Sequence, residues 1–423
     1  MTIALNNITY NTIFSIIHKT AKLFALVLMV CFHNLVLAQN WIQLSNFPGS
    51  KRDDGVAVCV NNKCYFGTGL QEGWSATIDF FELDLPTLSW KSIPDMPHTT
   101  ERQYACAFAG ANSFYVFGGD GIGGALSTLY RYDVAARTWS LMASKPGQGL
   151  SGAACMVFGD SVVFVGGRNN LVHNTNNEVW LYQISNNTWH QKSDFPYGGR
   201  WRGCASVLHN KGYFMFGLDS NDAYRKELYR YQLSNDTWNK VGDFPSGIGR
   251  TYSSMVTGSE QLVLFAGQDT MRNYYKDIWY YNDINNVWVK DQNLPSFGRK
   301  GGLCASNGRN LYYSCGINSA DQRLNETWMT DIPLGLKSQK KSDFDFEVFP
   351  NPCENSFFIQ ALPEHSKPAT YRLLNTNGLE LVASKLIDNV PTWIDIRFLE
   401  TGLYMLELKI EGGSSVVKKI IKH

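Results

Sequence analysis

The chain has 423 residues, of which 18% are charged and 13% aromatic, with 12 Trp and 21 Tyr. Its 38 Lys and Arg balance 37 Asp and Glu, so no global field favours nucleic acid or a membrane surface. With 37 Gly, this composition suits an aromatic-packed all-β protein punctuated by glycine, and the length suits two domains.

Lys19 and Lys22 precede an apolar run from Leu23 to Phe32, and Ala38 offers a small residue before Gln39. This is the pattern of a cleaved secretory signal over residues 1–38. The run is broken by His33 and Asn34, too short to span a bilayer, so no transmembrane segment is expected after cleavage. Cys31 lacks the small preceding residue of a lipidation site. The remaining cysteines are too few for a disulfide scaffold in a chain this long. Cys106, Cys155, Cys204 and Cys304 recur about once per repeat and read as small core residues. Cys59 and Cys64 differ: a two-residue turn at Asn61-Asn62 sets them directly opposite each other, as a local disulfide requires.

Trp41, Trp90, Trp139, Trp189, Trp238 and Trp288 recur every 49 or 50 residues. Each interval repeats an alternating strand, a tight turn, an aromatic or branched strand ending on Gly, a variable loop, a third strand and a Trp-bearing fourth. Second strands include Tyr115-Val116-Phe117-Gly118-Gly119 and Val163-Phe164-Val165-Gly166-Gly167. Four strands per repeat make a blade, which must pack against other blades around an axis. The sixth copy begins near Arg299 and stops after Trp328-Met329 without its fourth strand. Trp41-Ile42-Gln43-Leu44 is an orphan fourth strand at the other end. Pairing the two closes a six-bladed propeller over residues 39–333 and removes the exposed sheet edges.

The Gly-Gly doublets at 118–119 and 166–167, followed by Tyr or Trp and then Trp in register, resemble the kelch family. Blades one, four, five and six lack the first Gly of the doublet.

Lys337 to Asp343 is polar, basic and aperiodic, so residues 334–343 are expected to form a linker. Beyond them, residues 344–423 carry alternating strands that suit a small β-sandwich. Phe349-Pro350-Asn351-Pro352, Asn377-Gly378, Gly402-Leu403-Tyr404 and the basic-aliphatic end resemble the C-terminal sorting domain of the type IX secretion system of Bacteroidetes. The resemblance implies engagement of that secretion machinery and an extracellular or cell-surface location.

Counting back 17 residues from the second-strand Gly gives Arg52, Arg102, Arg200, Arg250 and Arg299, with Leu150 in blade three. These guanidiniums are candidates to ring one mouth of the channel and bind an anion, since Arg forks onto carboxylates; the competing reading is a role in the fold. Acidic residues before the third strand (Asp79, Glu178, Glu227, Asp277 and Glu326) are whole blades apart, which suits structural pairing better than acid–base catalysis. Trp74, Trp201 and Tyr274 supply aromatic platforms over the same mouth. The histidines show no ligand spacing and no nucleophile motif is present, so neither a metal, a cofactor nor a catalytic residue is assigned. Two function classes remain open: a module binding a protein or carbohydrate through its loop face, and an enzyme on acidic sugars, since six-bladed kelch proteins include sialic-acid mutarotases.

Overall fold

The computed structural model describes residues 41–169, 175–333, 346–361, 369–375, 379–385, 392–410 and 415–423. The expected signal segment and linker, the Asn377-Gly378 turn and residues 344–345 lie outside the described residues. The described chain forms two compact units, the first ending at Pro333.

Four-stranded antiparallel sheets recur through the first unit, six among the described residues. In blade one the strands are Val56–Val60, Lys63–Gly67, Phe80–Asp84 and Ser89–Ile93, in that order from the axis outward. The inner strands of blades two to six are Cys106–Gly110, Ser151–Phe158, Cys204–Leu208, Ser254–Thr257 and Leu303–Ser306. Each packs beside the inner strands of both neighbours, and the sixth packs beside the first, which closes a ring. Second strands are buried on both faces, as in Ser113–Phe117 and Leu262–Phe265, so they read as continuous apolar runs. The sixth sheet takes its outer strand from Ile42–Leu44, antiparallel to Thr327–Asp331, with Gln43 opposite Trp328.

The repeating Trp stitches blades together. The indole N–H of Trp90 donates to Ser45 O, that of Trp139 to Pro94 O and that of Trp189 to Ala143 O, over 2.7–3.0 Å. Each acceptor belongs to the segment leaving the preceding blade. Trp41 repeats the contact across the closure, reaching Gln292 O at 3.4 Å, with its ring tilted against Phe265 at 5.2 Å.

The glycine doublet is a conformational requirement. Its second residue has φ of 88° to 103° in every blade, and a Cβ on Gly69 would stand 2.5 Å from Asp53 O. Its first position is also left-handed where Gly is missing: Thr68, Phe216, Ala266 and Cys315 have φ of 53° to 66°. That conformation costs a non-glycine roughly 1–2 kcal/mol, and the blade geometry imposes it. In blade one, Cys59 and Cys64 are paired across the first hairpin with Cα atoms 3.9 Å apart and joined by a disulfide.

The second unit stacks a three-stranded sheet (Phe346–Phe349, Ser356–Ala361, Thr392–Asp395) and a four-stranded one (Glu380–Lys385, Ala369–Leu374, Gly402–Ile410, Ser415–Lys422). Phe357, Ile359, Leu373, Ile394, Leu406 and Ile420 form its core. Asn351 ties the last strand down, donating to Lys419 O at 2.7 Å and accepting from the Ile421 amide at 2.9 Å.

Candidate functional site at the channel mouth

The inner strands enclose a channel cavity of about 480 Å³, lined by small residues such as Ala57, Ala107, Ala205 and Ser206. At the N-terminal ends of these strands lies a smaller cavity of about 150 Å³. Its rim takes one residue from each blade: Asp54, Tyr104, Gly152, Arg202, Tyr252 and Gly301. All six are left-handed, with φ between 57° and 67°. A relay of backbone bonds between blades ties five of them together. The Asp54 amide donates to Gly301 O at 2.7 Å, and those of Tyr104, Gly152 and Arg202 donate to Asp54 O, Tyr104 O and Gly152 O at 2.9 Å. The backbone therefore repeats with six-fold regularity while the side chains do not.

Those side chains build an asymmetric site. The Arg202 guanidinium lies 3.7–3.8 Å from the ring centres of Tyr104, Trp201 and Tyr252. Arg168 covers Trp201 at 3.4 Å, so two cations flank one indole. Lys300 sits 4.8 Å from the Tyr252 ring and 5.6 Å from that of Tyr274. Beside them Arg323 donates to Asp53 Oδ1 at 2.6 Å and lies over Trp74. Burial pushes the Asp54 carboxyl up to about 7, with a further push from Asp53 that Arg202 and Lys300 oppose. Burial also raises Tyr104, helped by Asp54, and lowers both Lys300 and Arg202. Arg202 Nε and Trp201 Nε1 are buried donors without a partner among the described residues, a condition that native structures seldom leave unexplained.

The arginine row lies elsewhere than expected. Arg52, Arg102, Arg200, Arg250 and Arg299 are each at most 3% exposed and are engaged inside their own blades rather than open to the mouth. Arg52, Arg102, Arg250 and Arg299 donate to the carbonyls of Thr68, Gly118, Ala266 and Cys315, the strained first position of the doublet. Three also bind the acidic row: Arg52 forks onto Asp79, Arg250 onto Asp277, and Arg299 meets Glu326. The physical reason is that a buried guanidinium must be paired, and the blade supplies both partners. Burial works to raise the Asp277 carboxyl, but Arg250 and Trp279 outweigh it and hold it below the usual range. Arg200 donates through Nη1 to Gly198 O and Gly199 O and leaves Nη2 unpartnered among the described residues. In blade three Lys145, 3% exposed, reaches Glu178 at 3.5 Å in place of the missing arginine. Of the expected aromatics, Trp74 is 76% exposed, Tyr274 is half-buried and Trp201 is buried beneath Arg168 and Arg202. Asp54, Tyr104, Arg202, Tyr252 and Lys300 carried no residue-type signal. The position two after each arginine was the available pointer to five of the six rim residues.

Comparison with known proteins agrees with this architecture. The profile described as the KLHDC2/KLHL20/DRC7 Kelch-repeats domain matches residues 54–251, and that of the secretion system C-terminal sorting domain matches 347–423. The solved structure described as "Structure of YjhT" superposes with a TM-score of 0.58 at 17% identity, covering 67% of this chain and 95% of that one. N-acetylneuraminate epimerase of Vibrio cholerae is 33% identical over 162 residues, covering 36% of this chain and 40% of the relative. The same-named protein of Haemophilus influenzae is 25% identical over 185 residues, covering 34% and 48%. The matches thus span less than half the length of either relative. Among the described residues no helix is long and apolar enough to cross a membrane. The chain is a kelch-repeat β-propeller followed by a secretion-system C-terminal sorting domain, which directs it to the cell surface or the extracellular space.

Proposed function

We propose that the propeller acts on an acidic sugar at the channel mouth, interconverting its anomers by proton transfer. The observation that carries this reading is Asp54, a carboxyl raised to about 7 beside Arg202, Lys300 and Tyr104. A group titrating near neutrality serves as base and as acid in the same cycle. The sugar carboxylate pairs with the cations of the mouth. Asp54 takes the proton of the anomeric hydroxyl, the ring C–O bond breaks as the ring oxygen receives a proton from Tyr104, and the anomeric carbon becomes a carbonyl. Rotation about the adjacent C–C bond and reclosure on the other face return both protons. The epimerase name of the matched relatives supports the substrate class.

A second reading, capture of a protein or glycan by the loop face, is favoured by the exposed Trp74 with Arg323 against it. NMR of freshly dissolved N-acetylneuraminate separates the two. Acceleration of anomer exchange, lost by about 10²-fold or more in Asp54→Asn, supports the first. Saturable glycan binding with exchange at the uncatalysed rate supports the second.

A further inference from the structure

The six seams between blades are built on one register. The inner strand of each blade meets the next through the fourth residue after its arginine position, opposite the fifth residue of the following blade. Val56 thus shares a cluster with Ala107, Ala154 with Ala205, Cys204 with Met255, and Leu303 with Ala57. Ser254 and Cys304 meet in the same way through a side-chain hydrogen bond. At the seam between blades two and three, both places are cysteines: Cys106 and Cys155. Their contacts cross the seam reciprocally, the Cys106 thiol donating to Ala153 O at 2.8 Å and the Cys155 thiol reaching Ala107 O at 3.7 Å. Both line the channel cavity.

We propose that Cys106 and Cys155 form a second disulfide that clasps blade two to blade three in the exported protein. Export places the chain where disulfides persist. The reaction is thiol–disulfide exchange with an oxidised dithiol protein: the oxidant's S–S bond breaks, a Cys106–Cys155 bond forms, and two electrons and two protons pass to the oxidant's sulfurs. The mutual hydrogen bond and burial raise the Cys106 thiol well above its ordinary range, and the thiolate is the attacking form. Exchange therefore takes place while the seam is still open during folding, and the closed channel afterwards shields the bond. The effect is unlike that of Cys59–Cys64, which ties two residues of one hairpin; this bridge ties two blades.

The test uses full-length protein collected from outside the cell, acid-quenched, unfolded in N-ethylmaleimide without reductant, digested and mapped by mass spectrometry. The expected result is a Cys106 peptide joined to a Cys155 peptide, about 2 Da lighter than their sum through loss of two hydrogens. Alkylation of both thiols, or a bridge from either to another cysteine, overturns the proposal. Cys155→Ser gives a second readout, and the native Ser254–Cys304 seam shows that a hydroxyl is accommodated opposite a thiol there. Its melting temperature should lie several degrees below that of the parent under oxidising conditions and match it under reducing ones. The same difference in both conditions overturns the clasp.

Discussion

Two rings of residues lie two positions apart in sequence and differ in almost everything else. The arginine ring repeats its residue type in five blades and hides it: guanidiniums at most 3% exposed, each spent on its own blade. The rim ring repeats only its backbone, six left-handed residues of which five are linked blade to blade, and varies its side chains from Asp to Tyr, Gly and Arg. A residue type repeated in five blades serves the fold, and in four of them it supports the strained doublet. Chemistry needs asymmetry, because a substrate that lacks six-fold symmetry must meet different groups on different sides. The constant ring is framework, and the variable ring on constant backbone is where function is expected.

Substitutions can break this division. The largest effect should come from Arg250→Ala, which strands Asp277 without its bidentate partner in a buried site. Loss of about 3–5 kcal/mol in denaturant unfolding is expected, with ligand affinity of the folded fraction unchanged. Affinity loss without loss of stability would return the arginine ring to the binding site. Arg202→Ala should do the reverse: binding of N-acetylneuraminate, followed by calorimetry, falls about 10–100-fold, while unfolding shifts by about 1 kcal/mol through lost ring contacts. Gly152→Ala sharpens the rim's own role. At φ 67°, its Cβ would stand 2.6 Å from Trp201 Nε1, so a stability loss of about 1–2 kcal/mol should accompany altered Trp fluorescence on ligand binding.

The smallest of these effects is the pH dependence. Asp54 has its carboxyl raised to about 7, so it is neutral below that pH and charged above it. Anion binding should therefore weaken as pH rises through about 7, by up to about tenfold per unit for one coupled proton, and Asp54→Asn should flatten that limb. The same raised value carries a stability sign. The folded state holds a proton that the unfolded chain releases near 4, so this contribution is full below about 4 and is lost as pH rises through about 7. A wild-type binding curve with no inflection between pH 6 and 8 would remove Asp54 from the site.

The propeller was legible because its signal is periodic. The spacing of Trp41 to Trp288 gave the blade length, and the orphan strand at Ile42–Leu44 found its partner at Thr327–Asp331. The arginine register was legible too, but the destination of its side chains was not. An arginine and a carboxylate 27 residues apart recur in blades one, four, five and six and bond in one, five and six; treating the two rows as one pair would have pointed to burial. The rim was hidden for a different reason. What its members share is a left-handed backbone dihedral, and Asp, Tyr and Arg do not advertise that conformation. Gly152 and Gly301 alone carry that signal.

The closing strand has a consequence for how the molecule is assembled in time. Ile42 meets Met329, so the last seam joins segments nearly 290 residues apart along the chain. Bringing such distant ends together costs about 5 kcal/mol in chain entropy, from (3/2)RT ln n. The contact is worth making only after the intervening blades have shortened the path, which makes it a late event in folding. Until then the arc presents two complementary unpaired edges, and a second arc offers the same two. Intramolecular closure is independent of concentration, whereas exchange between two arcs is not. Refolding at high protein concentration should thus divert the chain into strand-exchanged pairs, and dilute folding should yield the single closed ring.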